Sequence, residues 1–240
     1  FERVRTDILD NVRLASEADV GTRFAHLTAG MDSRLVLAAL MQSQLQERYC
    51  FACIKTSSDW VLAGQLAGDL GLRFSDFEGM CHGKGYAANY IDWVTRASRN
   101  SAGALVVGHD PRWLPADTLL LQGGYGEVMR SFNHFAWDGR RDDLTRLAHQ
   151  LWRYAGFPSA QQAPDSIWAP AFLDHVVQRL EVFTKEAATL GLADDAFTNY
   201  LYVEGRNRYW FGLQSFYANR VRTQFDPLYS CHGVGLPLLL

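Results

Sequence analysis

One stretch narrows the choice of folds more than any other. Thr22–Leu27 reads as a short strand, Thr28-Ala29-Gly30-Met31-Asp32-Ser33 as a loop of small and polar residues, and Arg34–Met41 as a strongly apolar helix. The same alternation runs through the first half of the chain. Residues 1–17 carry Val4, Ile8, Leu9, Val12 and Leu14 at helical spacing. A second strand is expected at Tyr49–Ile54, followed by a helix over Asp59–Leu70 that Gly71 stops. A weaker strand covers Arg73–Phe77, a helix covers 86–99, and Asp117–Leu121 has the look of a buried strand. Strands that alternate with helices predict an α/β fold, here a Rossmann-like parallel sheet of about five strands.

Past about residue 140 the pattern changes. Residues 141–154, 166–190 and 195–220 read as helices rich in Trp, Tyr and Phe, with Gly and Pro as punctuation between them. The expected division is therefore an α/β part over about 1–135 and a helical part over about 136–240. Phe1 in place of a Met, and the closing run from Gly235 to Leu240, lead to the expectation that these 240 residues belong to a longer chain.

Composition removes several function classes. A net charge of −3 supplies no basic field for nucleic acid. No apolar run reaches bilayer length, and nothing at the start resembles a signal peptide, so the expected setting is cytoplasmic with no membrane partner. The four cysteines are Cys50, Cys53, Cys81 and Cys231. Cys50 and Cys53 have C-x-x-C spacing, but no second tight ligand pair accompanies them and they fall within an expected buried strand. Reduced thiols are the simpler reading.

In parallel sheets, ligands sit beyond the carboxyl ends of the strands where the strand order reverses. The two glycine-bearing strand exits are Thr28–Ser33 and Gln122–Glu127. A short strand-to-helix loop aims backbone N–H groups at one point, where the helix dipole adds partial positive charge and favours phosphate. Ala29 and Gly30 allow close approach, Thr28 and Ser33 add hydroxyls, and Asp32 is suited to a divalent cation. The competing reading makes Asp32 or Ser33 an ordinary helix N-cap. The loop lacks both G-x-G-x-x-G and G-x-x-x-x-G-K-[ST].

Leu27-Thr28-Ala29-Gly30-Met31-Asp32-Ser33-Arg34 instead resembles the S-G-G-x-D-S pyrophosphate loop of the asparagine synthase family. That group of ATP pyrophosphatases includes asparagine synthetases, β-lactam synthetases and lasso-peptide cyclases. Thr28 stands for the usual Ser and Ala29 for the first Gly. Phe51-Ala52-Cys53-Ile54-Lys55 resembles the family's second strand, whose end, here Ile54 and Lys55, contacts adenine. Asp59 to Leu72 resembles the helix that follows. Leu120 to Val128, with Gly123, Gly124 and Glu127, resembles the L-x-G-x-G-x-D-E-[LV] segment, and Phe225-Asp226-Pro227-Leu228 resembles a late R-x-P-[FL]-L-D segment.

The resemblance implies an ATP-dependent amide-forming ligase that adenylates a small-molecule or peptide carboxylate and releases AMP and pyrophosphate. It implies ATP and Mg²⁺ as cofactors, with Asp32, Ser33 and Glu127 as catalytic residues. Asp32 and Glu127 would be the metal ligands. Leu27 to Ser33, Ile54, Lys55, Gly123 and Gly124 would surround the nucleotide. Arg34 and Arg130 follow the two loops and either contact pyrophosphate or substrate or are simply solvated. His109 and Asp110 form a further polar pair in a loop, where a lone His is more often structural than catalytic.

The sequence also departs from the family pattern. Gly126 occupies the place of the Asp in the D-E pair, and no lysine follows Lys185, whereas family members carry a late lysine for amide formation. Glu127 is open to a second reading, as a first-turn carboxylate that balances a helix dipole. A glutaminase domain, where one exists, would lie outside these residues. The alternative to a ligase is a degenerate relative that binds nucleotide without ligase activity.

Overall fold

The computed structural model describes residues 1–76, 117–126, 144–148, 170–192, 194–205, 215, 219 and 223–239. The expected helix over 86–99, His109, Asp110, Glu127 and Arg130 lie outside the described residues, as does most of 141–154. The chain forms two compact units. One comprises Phe1–Arg130 with Val203–Gly235, and the other comprises Ser131–Tyr202 with Leu236–Leu240.

The first unit opens with α1 (Glu2–Glu17), β1 (Thr22–His26), α2 (Met31–Gln42), β2 (Cys50–Cys53), α3 (Trp60–Asp69) and β3 (Phe74–Asp76). It continues with β4 (Thr118–Leu121) and β5 (Thr223–Phe225). Five parallel strands run in the order β3-β2-β1-β4-β5, which is an α/β Rossmann-like sheet. β1 pairs with β2 through Phe24 opposite Cys50, and with β4 through Phe24 opposite Leu120. β4 pairs with β5 through Leu120 opposite Gln224. Order therefore reverses between β1 and β4, and the crevice at their carboxyl ends is where such sheets place ligands.

Side-chain alternation explains the layering. Ala25, Phe51, Cys53, Leu119 and Leu121 join a core with Val4, Ile8, Val12 and Ala15 of α1, with Val36, Leu37, Ala39 and Leu40 of α2, and with Ala63 and Ala67 of α3. Phe24, Ala52 and Leu120 take the intervening positions and form a separate apolar cluster. All four residues of β4 are buried, the pattern of a central strand in a parallel sheet rather than a half-solvated one. On α1 the apolar stripe runs through Val4, Ile8, Val12 and Ala15, and Leu14 is left outside it, 65% exposed. Asn11 of α1 reaches across the sheet end, its side-chain amide donating to the carbonyls of Pro227 and Tyr229, each at 3.0 Å.

Two features were not read from the sequence. β5 lies within a stretch that carries no strand signal, and it adds the fifth position of the sheet next to β4. A last helix, α6 (Cys231–Leu239), follows it. In the second unit, α4 (Pro170–Thr189) and α5 (Asp194–Leu201) share a core of Leu147, Ala148, Leu180, Ala187, Leu192, Ala196, Phe197 and Leu201. Among the described residues no helix is long and apolar enough to cross a membrane.

α2 ends in a left-handed turn at Gln44, φ 59°, with the Leu45 amide returning to the Leu40 carbonyl at 2.9 Å. Glycine is the residue that tolerates this conformation without a Cβ penalty. Gln44 is exposed and makes no packing contribution that glycine would forfeit. Gln44→Gly is expected to raise stability by about 1 kcal/mol, the order of the left-handed penalty. Urea unfolding midpoints measure it, and an unchanged or lower midpoint would contradict the assignment of strain.

Candidate functional site

Three strand exits meet at the reversal point of the sheet. The first runs from Leu27 to Gly30 and enters α2, which starts at Met31 with Gly30 as its N-cap. Asp32 and Ser33 therefore lie inside the first helical turn, three residues earlier than the apolar run suggested, and neither is the N-cap. Gly30 provides no capping side chain. Leu27 is fully buried, its amide bonded to the Ala52 carbonyl at 3.0 Å, so the loop leaves from a fixed point on the sheet.

Within this loop, hydroxyls do the tying. The Thr28 amide donates to Ser33 Oγ at 3.0 Å, and Thr28 Oγ1 lies 2.9 Å from Ser33 Oγ. The Gly30 amide donates to Thr28 Oγ1 at 3.0 Å. The Ser33 hydroxyl is also within donating reach of the Gly30 carbonyl (3.2 Å) and the Thr28 carbonyl (3.3 Å). Ser33 is buried and its hydroxyl is committed to holding the loop's shape. Arg34 is exposed and donates from Nε back to the Gly30 carbonyl at 3.2 Å, which keeps its guanidinium beside the loop. Met31 is 60% exposed on the outer side of the turn.

The second exit, Gln122 to Gly126, packs directly against the first. A Cβ on Gly123 would lie 2.9 Å from the Asp32 carbonyl carbon and 3.0 Å from the Ser33 amide nitrogen. A Cβ on Gly126 would lie 2.6 Å from both Cγ and Oδ1 of Asp32, and 2.8 Å from Leu228. Glycine at 123 is thus a steric requirement of the contact, because backbone stands in the way, and the Asp32 side chain lies against the β4 turn at Gly126. At the end of β2, the Lys55 amide donates to Asp76 Oδ1 at 3.2 Å, and the Ile54 carbonyl accepts from the Ser57 amide at 2.9 Å.

The third exit supplies a residue that was not singled out from the sequence as a site residue. Asp226-Pro227-Leu228-Tyr229 is a tight turn closed by the Tyr229 amide on the Asp226 carbonyl at 3.1 Å. Proline in its second position suits the turn's fixed φ. The turn buries Leu228 in the core and brings Asp226 to the β4 loop, where the backbone amides of Gly124 and Tyr125 hydrogen-bond to its carboxylate. Its Oδ1 is buried with no hydrogen-bond partner. The neighbouring Tyr125 and Tyr229 rings meet edge to face, with centroids 4.8 Å apart.

Burial pushes the Asp226 carboxyl up to about 7, against the two amides that favour its charged form, and the Asp32 charge pushes it further up. The buried Asp226 carboxyl therefore lies within electrostatic range of the Asp32 carboxylate. Hard oxygen donors with an open valence suit a small divalent cation such as Mg²⁺, which is held by one or two carboxylates and completes its shell with water and phosphate oxygens. Among the described residues no cluster of three His, Cys, Asp or Glu side chains forms a closed metal cage. Cys50 and Cys53 are free thiols on β2, their ionisation held back chiefly by burial.

No protein-family model matches the chain, and no curated protein matches it. What fold and geometry define is a class: an α/β protein with a Rossmann-like parallel sheet, whose glycine-bearing turns converge with two carboxylates at the topological switch point.

The Asp226 ionisation gives a pH test. In the unfolded chain an Asp titrates near pH ~4. Below that pH it is protonated in both states and contributes nothing. As pH rises towards 7 the unfolded chain loses the proton first, so stability falls; above about 7 both states are ionised and the penalty is constant. Asp226→Asn should flatten this slope, by at most about 4 kcal/mol between pH 4 and 8 at ~1.4 kcal/mol per unit. Parallel stability curves for the two proteins over that range would exclude a raised Asp226.

Proposed function

We propose that the chain is an ATP-dependent amide-forming ligase of the asparagine synthase type, acting on a small-molecule or peptide carboxylate in the cytoplasm. The observation that carries this reading is the direction of Asp32. It sits in the first turn of the helix that follows β1 and faces the β4 turn, whose backbone approaches closely because position 123 is glycine. That is the arrangement expected of a cradle for the pyrophosphate of a nucleotide, with the helix N-terminus supplying partial positive charge.

In this reading the carboxylate substrate attacks the α-phosphorus of ATP. The bond between that phosphorus and the bridging oxygen breaks, and pyrophosphate leaves with its electrons. An amine or ammonia then attacks the acyl-adenylate carbonyl and displaces AMP. The chain's part is to bind and orient. Thr28 and Ser33 fix the loop so that its N-terminal turn points at the leaving group, where negative charge develops. Gly123 and Gly124 let the β4 backbone approach the nucleotide closely, and Ile54 and Lys55 line the β2 exit beside it. Arg34 lies beside the phosphates, with Arg130 assigned to the same role from the sequence. Asp32 would hold Mg²⁺, with Glu127 as the further carboxylate that the sequence resemblance names. Bound there, the ion would offset charge on the departing pyrophosphate. A glutaminase outside these residues would deliver ammonia where the amine is not taken directly.

Gly126 favours a second reading, a nucleotide-binding relative without ligase activity, because the family's Asp is absent at that position. Nucleotide turnover separates the two. Supplied with ATP, Mg²⁺, ammonia and a panel of carboxylic acids, the ligase releases AMP and pyrophosphate in equal amounts. Asp32→Ala is expected to lower that release at least 100-fold, the scale of losing a transition-state charge contact. ATP binding without AMP from any acid supports the second reading, and pyrophosphate release unaffected by Asp32→Ala removes the mechanism.

A further inference from the structure

Gly126 leaves the β4 turn without a carboxylate at the position where the resembling family carries one. A Cβ at this position would press on the side-chain tips of Asp32 and Leu228, so a larger residue here would have to displace the Asp32 carboxylate. The carboxylate that does reach this corner comes from a different strand. Asp226, the first residue after β5, is carried in by the Asp-Pro turn, and the Asn11 side chain holds that turn from below through the Pro227 and Tyr229 carbonyls. The Gly124 and Tyr125 amides grip its carboxylate from the β4 side, within electrostatic range of Asp32. One oxygen, Oδ1, is buried and makes no hydrogen bond to any group of the protein.

An orphaned carboxylate oxygen in a buried position is a rare and unfavourable arrangement. Here it is over-determined. Proline, a closed turn, two backbone amides and a packed Leu228 all keep the side chain where solvation is poor. The ionisable group within electrostatic range of it, Asp32, is also acidic. A divalent cation would satisfy the open oxygen and separate the two like charges.

We propose that Asp226 is the second carboxylate ligand of the divalent cation held by Asp32, the role having moved from the β4 turn to the β5 turn. This rests on the ligase reading in one respect, that the cation arrives with the nucleotide's phosphates. Two carboxylates and phosphate oxygens, with water in the remaining positions, make an ordinary octahedral shell for Mg²⁺ or Mn²⁺. Asp226 is then a metal ligand and Gly126 the clearance that lets Asp32 turn towards it.

The probe is Mn²⁺, followed by electron paramagnetic resonance, with an ATP analogue whose α- and β-phosphorus atoms are joined by methylene. Wild-type protein should bind the analogue, and should bind Mn²⁺ tightly in its presence. Asp226→Asn should weaken Mn²⁺ binding to the protein–analogue complex at least tenfold without weakening binding of the analogue in EDTA, where loss of a negative charge can only favour the phosphates. Asp226→Glu should recover part of the loss. Iron(II) with ascorbate cuts the backbone beside a bound cation, and on the wild-type protein it should cut near both Asp32 and Asp226, which tests the site even if a variant does not fold. Unchanged Mn²⁺ affinity in Asp226→Asn, or cutting near Asp32 alone, overturns the assignment and leaves the ligase reading intact. Absence of analogue binding by the wild-type protein, with or without Mn²⁺, overturns the ligase reading and the assignment with it.

Discussion

The contact between the β4 turn and the first turn of α2 is what the site depends on. Two missing side chains make it: a Cβ at Gly123 would strike the backbone of Asp32 and Ser33, and one at Gly126 the Asp32 carboxylate. Because backbone rather than a flexible side chain stands in the way at Gly123, the neighbour has no easy path of retreat. The contact sets where the helix N-terminus points and which way Asp32 turns. Asp226 then docks on the same β4 turn through its amides. Three segments far apart in the chain are in this way held in one small volume by close backbone approach, with hydroxyls of Thr28 and Ser33 keeping the first of them in shape.

Electrostatics decides what such a volume can hold. Helix-dipole charge at α2 favours an anion, whereas Asp32 and Asp226 oppose one. Neither effect wins alone, since a dipole contact is worth about 0.3–1 kcal/mol and a triphosphate carries several negative charges. Under the proposed function a divalent cation would reverse the balance, turning both carboxylates from repulsive neighbours into ligands and giving the phosphates a partner. Cation and nucleotide are therefore expected to bind together rather than in sequence, each weak without the other.

Much of the sheet was legible in the sequence, and the reasons are local. β2 and β4 are short apolar runs and β1 a short segment that leads into a loop of small residues, and α2 and α3 follow with helical spacing and, for α3, a glycine stop at Gly71. The loop at Thr28–Gly30 was legible for the same reason, as small residues between a strand and a helix. The start of α2 was not, because Met31, Asp32 and Ser33 are read as loop by composition although their backbone is already helical. Ser33 looked like a phosphate donor, yet four contacts inside the loop occupy its hydroxyl, and no spacing rule reveals that. β5 was missed because Thr223-Gln224-Phe225 has one apolar residue in three, and its partner β4 lies about a hundred positions upstream. With the strand missed, Asp226 was read only as part of a segment that resembles the family's late motif. The Asp-Pro pair was the available signal: it marks a turn start, and a turn directly after a sheet strand is a ligand position.

In the second reading of the function, Gly126 marks a site that lacks the metal ligand of the family it resembles. The energetics of Asp226 argue the other way. A buried carboxylate with one oxygen unbonded and a second carboxylate nearby lowers the stability of the folded chain at neutral pH. Asn, Ser or Leu at 226 would remove the charge and leave the turn its Pro227 and its closing amide, so the fold alone does not call for the carboxylate. An unfavourable group gripped by the β4 amides and a closed turn is the pattern of strain at a working site.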